Sequence, residues 1–207
     1  MKRKQRIWSI IGIFLLCIIL GFGGFILYKL APAHWNSEQV EFILPIAEDD
    51  LQYVYQINGW GIKLGGGFHN GIDFDVNKSV EIIAWCDLRI NSIHIFYNDV
   101  NGRWQTNVLC SYNWKYRFDV AFENWAFNET AAQLQKNALN VKPGQIISQG
   151  ESFGTLLAFI NVTHLHFGLE ESGESVCPFN YMTSLAQSQF TTLYSLYGNE
   201  GEDICSV

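Results

Sequence analysis

Between Gly71 and Phe122 the sequence leaves the backbone little choice but strand. Gly71-Ile-Asp-Phe-Asp-Val76, Val80-Glu-Ile-Ile-Ala-Trp85, Leu88-Arg-Ile-Asn-Ser-Ile-His-Ile-Phe-Tyr97 and Trp104-Gln-Thr-Asn-Val-Leu-Cys110 alternate or run apolar, and β-branched and aromatic residues fill them. A period of two belongs to a half-buried strand, since successive side chains point to opposite faces. Asn98-Asp-Val-Asn-Gly102 is a hairpin turn signal, and Lys115 to Phe122 reads as a further strand. Phe153 to Ile160 and His164 to Glu170 continue the pattern after turns at Val141-Lys-Pro-Gly-Gln145 and Gln149-Gly150. Glu129 to Leu139 is the one well-formed helix expected after residue 30, with a short terminal helix over Thr183 to Phe190. Closely spaced short strands predict an all-β, mostly antiparallel sandwich or barrel-like domain.

The first 30 residues are of another kind. Met1 to Arg6 is basic, and Ile7 to Tyr28 carries no charge. As a helix, that stretch spans about 33 Å, enough for a hydrocarbon core of about 30 Å. It is longer than the apolar part of a signal peptide, and Leu30-Ala31-Pro32-Ala33 is a poor cleavage site. The reading is one N-terminal transmembrane helix, single-pass in the cell membrane, with the basic end inside and the C-terminal domain extracytoplasmic. Residues 1–30 are thus tail and anchor, 31–50 a linker and lead-in strand, 51–182 the main domain and 183–207 a C-terminal extension.

All 20 acidic residues but only 8 of the 13 basic ones lie after residue 30. A domain that acidic is no partner for nucleic acid. Cys86, Cys110, Cys177 and Cys205 lie in that domain, at spacings that fit no zinc ribbon. A disulfide, with Cys86–Cys110 one choice, and free buried thiols are both open. Asn58-Gly-Trp-Gly61 and Gly65-Gly66-Gly67 read as loop, and no Lys-Ser/Thr pair follows to make a phosphate loop.

The chemistry concentrates in histidines. His69-Asn-Gly-Ile-Asp73 sets an imidazole and a carboxylate four residues apart, and His164-Leu165-His166 sets two imidazoles on one face of a strand. Two paired strands can then offer two nitrogens and one oxygen to a single ion, the donor set of a catalytic zinc with one open position. Either pair alone is a weak signal.

Together they carry a resemblance. His69-Asn-Gly-Ile-Asp73-Phe resembles the H-x-G-x-D motif of lysostaphin-type zinc metallopeptidases, and His164-Leu-His166-Phe their H-L-H-F motif. Val80 to Trp85, Val141-Lys-Pro-Gly-Gln-Ile-Ile-Ser-Gln-Gly150 and Gly154-Thr155 are similar to the family's intervening strands and turns. The resemblance covers about residues 58–172. It implies Zn2+ held by His69, Asp73 and His166, with His164 a non-ligand histidine that helps activate water or stabilise the tetrahedral intermediate. It implies an endopeptidase acting on peptides of cell-wall peptidoglycan.

The sequence departs from the family twice. A second non-ligand histidine on a middle strand is missing from Asp119-Val-Ala-Phe-Glu-Asn124, where Glu123 stands near its position. A carboxylate there can act as a base, which makes Glu123 a second candidate catalytic residue. The segment from Glu123 to Val141 is also longer than the family's, with Trp125 and Phe127 read as docking residues for the added helix or, alternatively, as substrate-contacting residues. His94 reads as structural or exposed. The expectation is a membrane-anchored zinc metalloendopeptidase. The alternative is a degenerate peptidase-like module that binds wall or regulates a partner wall hydrolase.

Overall fold

The computed structural model describes residues 33–206, apart from 37, 64–66, 100–101, 127, 160–161 and 199–202. The strands are β1 (Val54–Asn58), β2 (Trp60–Ile62), β3 (Phe68–His69), β4 (Gly71–Val76), β5 (Val80–Ile83), β6 (Leu88–Asn98), β7 (Arg103–Ser111), β8 (Tyr116–Ala126), β9 (Ile146–Ile147), β10 (Ser152–Leu156), β11 (Thr163–Glu171), β12 (Glu174–Val176) and β13 (Cys205–Ser206). Two α-helices join them, α1 (Glu129–Asn137) and α2 (Ser184–Tyr197), with 3-10 turns at Glu48–Tyr53 and Pro178–Tyr181.

The main sheet runs β1-β4-β11-β8-β7-β6-β9, with β12 added to β11, and every pairing in it is antiparallel. β5 and β10 form a second sheet, and β13, β2 and β3 a third. Alternation sorts the faces. Ile72, Phe74 and Val76 of β4, Leu165, Phe167 and Leu169 of β11, and Phe118, Val120 and Phe122 of β8 are all buried in the core around Trp85. The intervening residues, Asp73, Asp75, His164, His166, Asp119, Ala121 and Glu123, therefore share the opposite face.

The fold is mixed α/β, which corrects the all-β expectation. Helix α2 continues well past Phe190 because Phe190, Leu193, Tyr194 and Tyr197 keep a helical period, and Phe190 lies edge-on to Phe74 in the core. Thr183 caps it, its hydroxyl accepting from the Ala186 amide. Helix α1 is fastened by polar bonds. Gln135, fully buried, accepts from Asn124 and from the Leu157 amide and donates to the Thr155 carbonyl. The side chains of Trp125 and Phe127, expected to dock this helix, lie outside the described residues. Val40, Phe42, Leu44 and Ile46, before the first strand, are buried in the same core.

The helix expected to cross a membrane, over residues 7–28, lies outside the described residues. Among the described residues no helix is long and apolar enough to do so. The longest, α2, has 14 residues and reaches about 21 Å, short of a hydrocarbon core of about 30 Å. The correction is that no described helix supports the single-pass topology, the membrane as a partner or the extracytoplasmic placement. A second correction concerns sulfur. Cys177 and Cys205 form the disulfide, while Cys86 and Cys110 are free thiols buried in the core, where burial pushes both well above the usual thiol range.

Candidate metal centre

Strand register brings the ligands together. His166 on β11 sits directly opposite Asp73 on β4, and β3 delivers His69 beside them. The His69 ring donates from Nδ1 to the Gly59 carbonyl at 2.7 Å. That bond sets its tautomer and aims Nε2 at the other two side chains, 3.1 Å from Asp73 Oδ2 and 3.3 Å from His166 Nδ1. His166 Nδ1 lies 2.8 Å from Asp73 Oδ1. One ligand atom from each residue falls within 4.8 Å of the others, so the three can hold a metal ion. Ligands at about 2.0–2.1 Å around a tetrahedral zinc stand roughly 3.3 Å apart, close to the spacing these atoms already have.

The electrostatics agree with a cation here. Burial works to raise Asp73, yet hydrogen bonds from His166 and His69 hold its carboxyl far below the usual range, so it is ionised. Burial works to lower His69, and the hydrogen bond and charge of Asp73 outweigh it, leaving His69 raised. A buried carboxylate flanked by two imidazoles draws positive charge, which protons supply when no ion does.

Gly71 makes the packing possible. A Cβ at that position would stand 2.6 Å from His166 Cε1 and 2.9 Å from the Phe167 carbonyl oxygen. The middle glycine of the His69–Asp73 motif is there to leave room for the His166 ring.

Two residues along β11, His164 is flanked on both sides. It sits opposite Glu123 on β8 and Asp75 on β4. His164 Nε2 is 3.1 Å from Glu123 Oε2, and Nδ1 is 3.2 Å from the Val162 carbonyl and 3.8 Å from Asp75 Oδ1. Burial lowers this imidazole, but the bond to Glu123 and the charges of Asp73, Glu123 and Asp75 prevail and bring it to about 9. Asp75 is pushed up to about 6, by burial first and by Asp73 and Glu123 against the opposing charge of His164.

One cavity of about 450 Å³ gathers the five residues singled out from the sequence, His69, Asp73, His166, His164 and Glu123. Gln105 and Asn107 of β7 and Asp119 of β8 complete its wall with Asn70 and Ala121. A donor chain crosses that wall: Asn98 to Gln105 at 3.4 Å, then Gln105 to Asn107 at 3.0 Å. Asp119 lies at its end, raised by burial and eased by the hydrogen bond of Asn107, with Oδ1 buried and unpartnered. His94 is exposed on β6 and does not line the cavity. His34 pairs with Asp87 at 3.2 Å.

Sequence reasoning missed Asp75, Asp119 and the β7 amides. A signal existed, because Asp75 lies two residues from Asp73 and Asp119 four from Glu123, on the same faces. The Gly59 carbonyl left no signal, since any residue supplies one.

No family model and no curated protein matches this chain. Among solved structures, a zinc-containing peptidase from Vibrio cholerae is 17% identical, covering 67% of this chain and 39% of its own, with a TM-score of 0.47. Lysostaphin, an antimicrobial peptidase from Staphylococcus simulans, is 19% identical over 80% of this chain and 61% of its own, with a TM-score of 0.41. Its catalytic domain alone is 17% identical over 66% of this chain and 97% of its own, with a TM-score of 0.39. The chain spans about two fifths of the length of the first of these. Likenesses this distant decide neither function nor substrate, which rest on the site itself.

Proposed function

We propose that this chain is a zinc-dependent hydrolase of peptide bonds, with peptides of cell-wall peptidoglycan as the substrate class. The convergence of His69 Nε2, Asp73 and His166 Nδ1, beside a His164–Glu123 pair in the same cavity, carries the reading. These three residues would hold the metal. Zinc, when bound, lowers the pKa of a water to about 7 and polarises a carbonyl oxygen.

The remaining work falls to the chain's own groups. His164, raised to about 9 in the metal-free chain by Glu123 and the neighbouring aspartates, is placed to hold a proton at the cavity wall. Glu123 holds that ring by its Nε2 and takes up or returns a proton as the amide breaks, the duty of a general base and then a general acid. Asp75, beyond Nδ1, opposes rotation of the ring. The polar wall of Gln105 and Asn107 offers hydrogen bonds to an extended peptide backbone.

A second reading follows from the sequence, in which Glu123 stands near the position where the family it resembles has a second non-ligand histidine. In that reading the chain is a degenerate module that binds wall peptides or regulates a wall hydrolase. Reconstituting the full chain with zinc and incubating it with purified peptidoglycan separates the two. The hydrolase takes up one equivalent and releases soluble peptide fragments, and His164→Ala slows release by about 100-fold or more. Zinc uptake below one equivalent sinks the metal assignment. Uptake without release by the wild type favours the module.

A further inference from the structure

The sequence Asn58-Gly-Trp-Gly61 is unexplained by the metal site alone, and so is the Cys177–Cys205 disulfide. The two features meet. Strand β13 lies parallel to β2, Cys205 opposite Trp60 and Ser206 opposite Gly61, and the Trp60 amide donates to the Ile204 carbonyl at 2.9 Å. Both glycines are required for that approach. A Cβ on Gly59 would stand 2.7 Å from the Ile204 oxygen, and one on Gly61, whose φ is +108°, would stand 1.7 Å from the Ser206 oxygen. The turn is shaped to receive β13.

The segment that receives it is the one that aims a metal ligand. Gly59 supplies the carbonyl that accepts from His69 Nδ1, and also from the Lys63 ammonium. Gly61 pairs with His69 across β2 and β3. On the other side, Cys177 follows β12, which is paired to β11, the strand of His166. The Trp60 indole donates to Ser175 of β12 at 3.0 Å. The disulfide thus ties β13, which flanks the neighbour of the His69 strand, to the end of β12, which backs the His166 strand.

We infer that the Cys177–Cys205 disulfide, by clamping β13 onto Gly59–Gly61, is a positioning device for the metal ligand His69. The inference rests on the metal site proposed above. Two residues of pairing cannot by themselves offset the entropy of ordering β13, so the covalent tie is what keeps it in place. With the tie gone, a turn flanked by two glycines loses one of its two neighbouring strands, and the Gly59 carbonyl no longer fixes the ring. Groups that orient a metal-binding histidine change metal affinity by about 10–100-fold when removed.

Zinc affinity of the full chain is measured by competition with a chromophoric chelator, in three states: oxidised wild type, phosphine-treated wild type and Cys177→Ser/Cys205→Ser. A trialkylphosphine opens the bond with one water, which gives its oxygen to phosphorus and a proton to each sulfur. Excess phosphine is removed before the titration, and the Cys177→Ser/Cys205→Ser variant controls for zinc bound by the two freed thiols. The expected result is a Kd about 10-fold weaker or more in both opened states, with circular dichroism unchanged. A Kd within about twofold of the oxidised protein, with the bond shown open by mass, overturns the clamp. The metal-free protein gives an independent readout in the His69 ring nitrogen resonances and the exchange rate of the Trp60 amide. Both shift on opening if the clamp holds the ring, and static signals refute it. If the oxidised wild type takes up no zinc, the metal reading fails and the clamp is decided on those two signals alone.

Discussion

Replacing Glu123 by Gln tests the most unusual feature of this cavity. The substitution keeps the shape and an acceptor oxygen and removes one charge. Glu123 Oε2 stands 3.1 Å from His164 Nε2, where unit charges at an effective dielectric constant of about 20 attract by roughly 5 kcal/mol. Burial takes back part of that, and His164 comes to about 9 against an ordinary 6.5, a net preference for the charged ring of roughly 3 kcal/mol. Without the carboxylate, burial is opposed by the charges of Asp73 and Asp75 and less strongly than before, so in the metal-free protein the His164 pKa falls. The sign in stability follows. A histidine raised in the folded state contributes fully below its unfolded pKa of 6.5 and loses that contribution as pH rises through about 9. Urea unfolding of the metal-free wild type between pH 6 and pH 9.5 therefore shows a His164-linked decline of up to roughly 3 kcal/mol, and Glu123→Gln shows much less of it. An NMR titration of the His164 ring gives the pKa directly. Equal pKa values in the two proteins, or equal declines, refute the pairing. On the zinc-loaded chain the same variant loses about 100-fold or more in turnover, and an unchanged pH–rate profile assigns Glu123 a structural role.

Other outcomes follow from single contacts. Asp73→Asn removes the charge shared by His69 and His166, so metal analysis after reconstitution shows well under one equivalent and a chelator strips what remains. Gly71→Ala puts a methyl 2.6 Å from the His166 ring, and zinc affinity drops by at least about 10-fold while the far-ultraviolet spectrum stays strand-like. Removing the disulfide, which closes a loop with a sequence separation of 28, costs about 3–4 kcal/mol in urea unfolding of the metal-free chain. Treating the loaded enzyme with a chelator abolishes peptide release, and added zinc restores it.

The cluster of His69, Asp73 and His166, which could hold a metal ion, was legible in two short motifs. His164 and His166 are separated by two along β11, which puts both on one face, whereas His69 and Asp73 lie on successive strands, β3 and β4, and were legible from the motif rather than from the period. The strands between them announced themselves by alternation; β4 and β11 lie where the pattern put them, while β8 runs four residues past Phe122, to Ala126, and so takes in Glu123. Helix α2 was cut short because threonine and serine dilute its apolar stripe, and only packing against Phe74 shows that Phe190 belongs to the core. The disulfide partner was hidden because four cysteines leave the pairing open. β13 was hidden because two residues carry no pattern, and its pairing with β2 spans most of the domain.

Register also explains why the cavity exists at all. Across β4, β11 and β8, one cross-strand row holds Asp73, His166 and Ala121, and the next holds Asp75, His164 and Glu123. The two rows are the same length and nearly the same composition except at β8, where alanine alternates with glutamate. Ala121 opposite His166 leaves empty space over His69, Asp73 and His166, which becomes the floor of the cavity. Glu123 opposite His164 fills the equivalent space with a charge that grips the ring. One row is thereby open to a ligand, and the other is closed into a proton-holding pair at its edge. A slip of one residue between β8 and β11 would turn both glutamate and alanine into the core and bring Phe122 to the face. Burial of Phe118, Val120 and Phe122 forbids that slip. The hydrophobic core and the site chemistry are thus fixed by a single register, so the position of Glu123 beside His164 is as firmly set as the core itself.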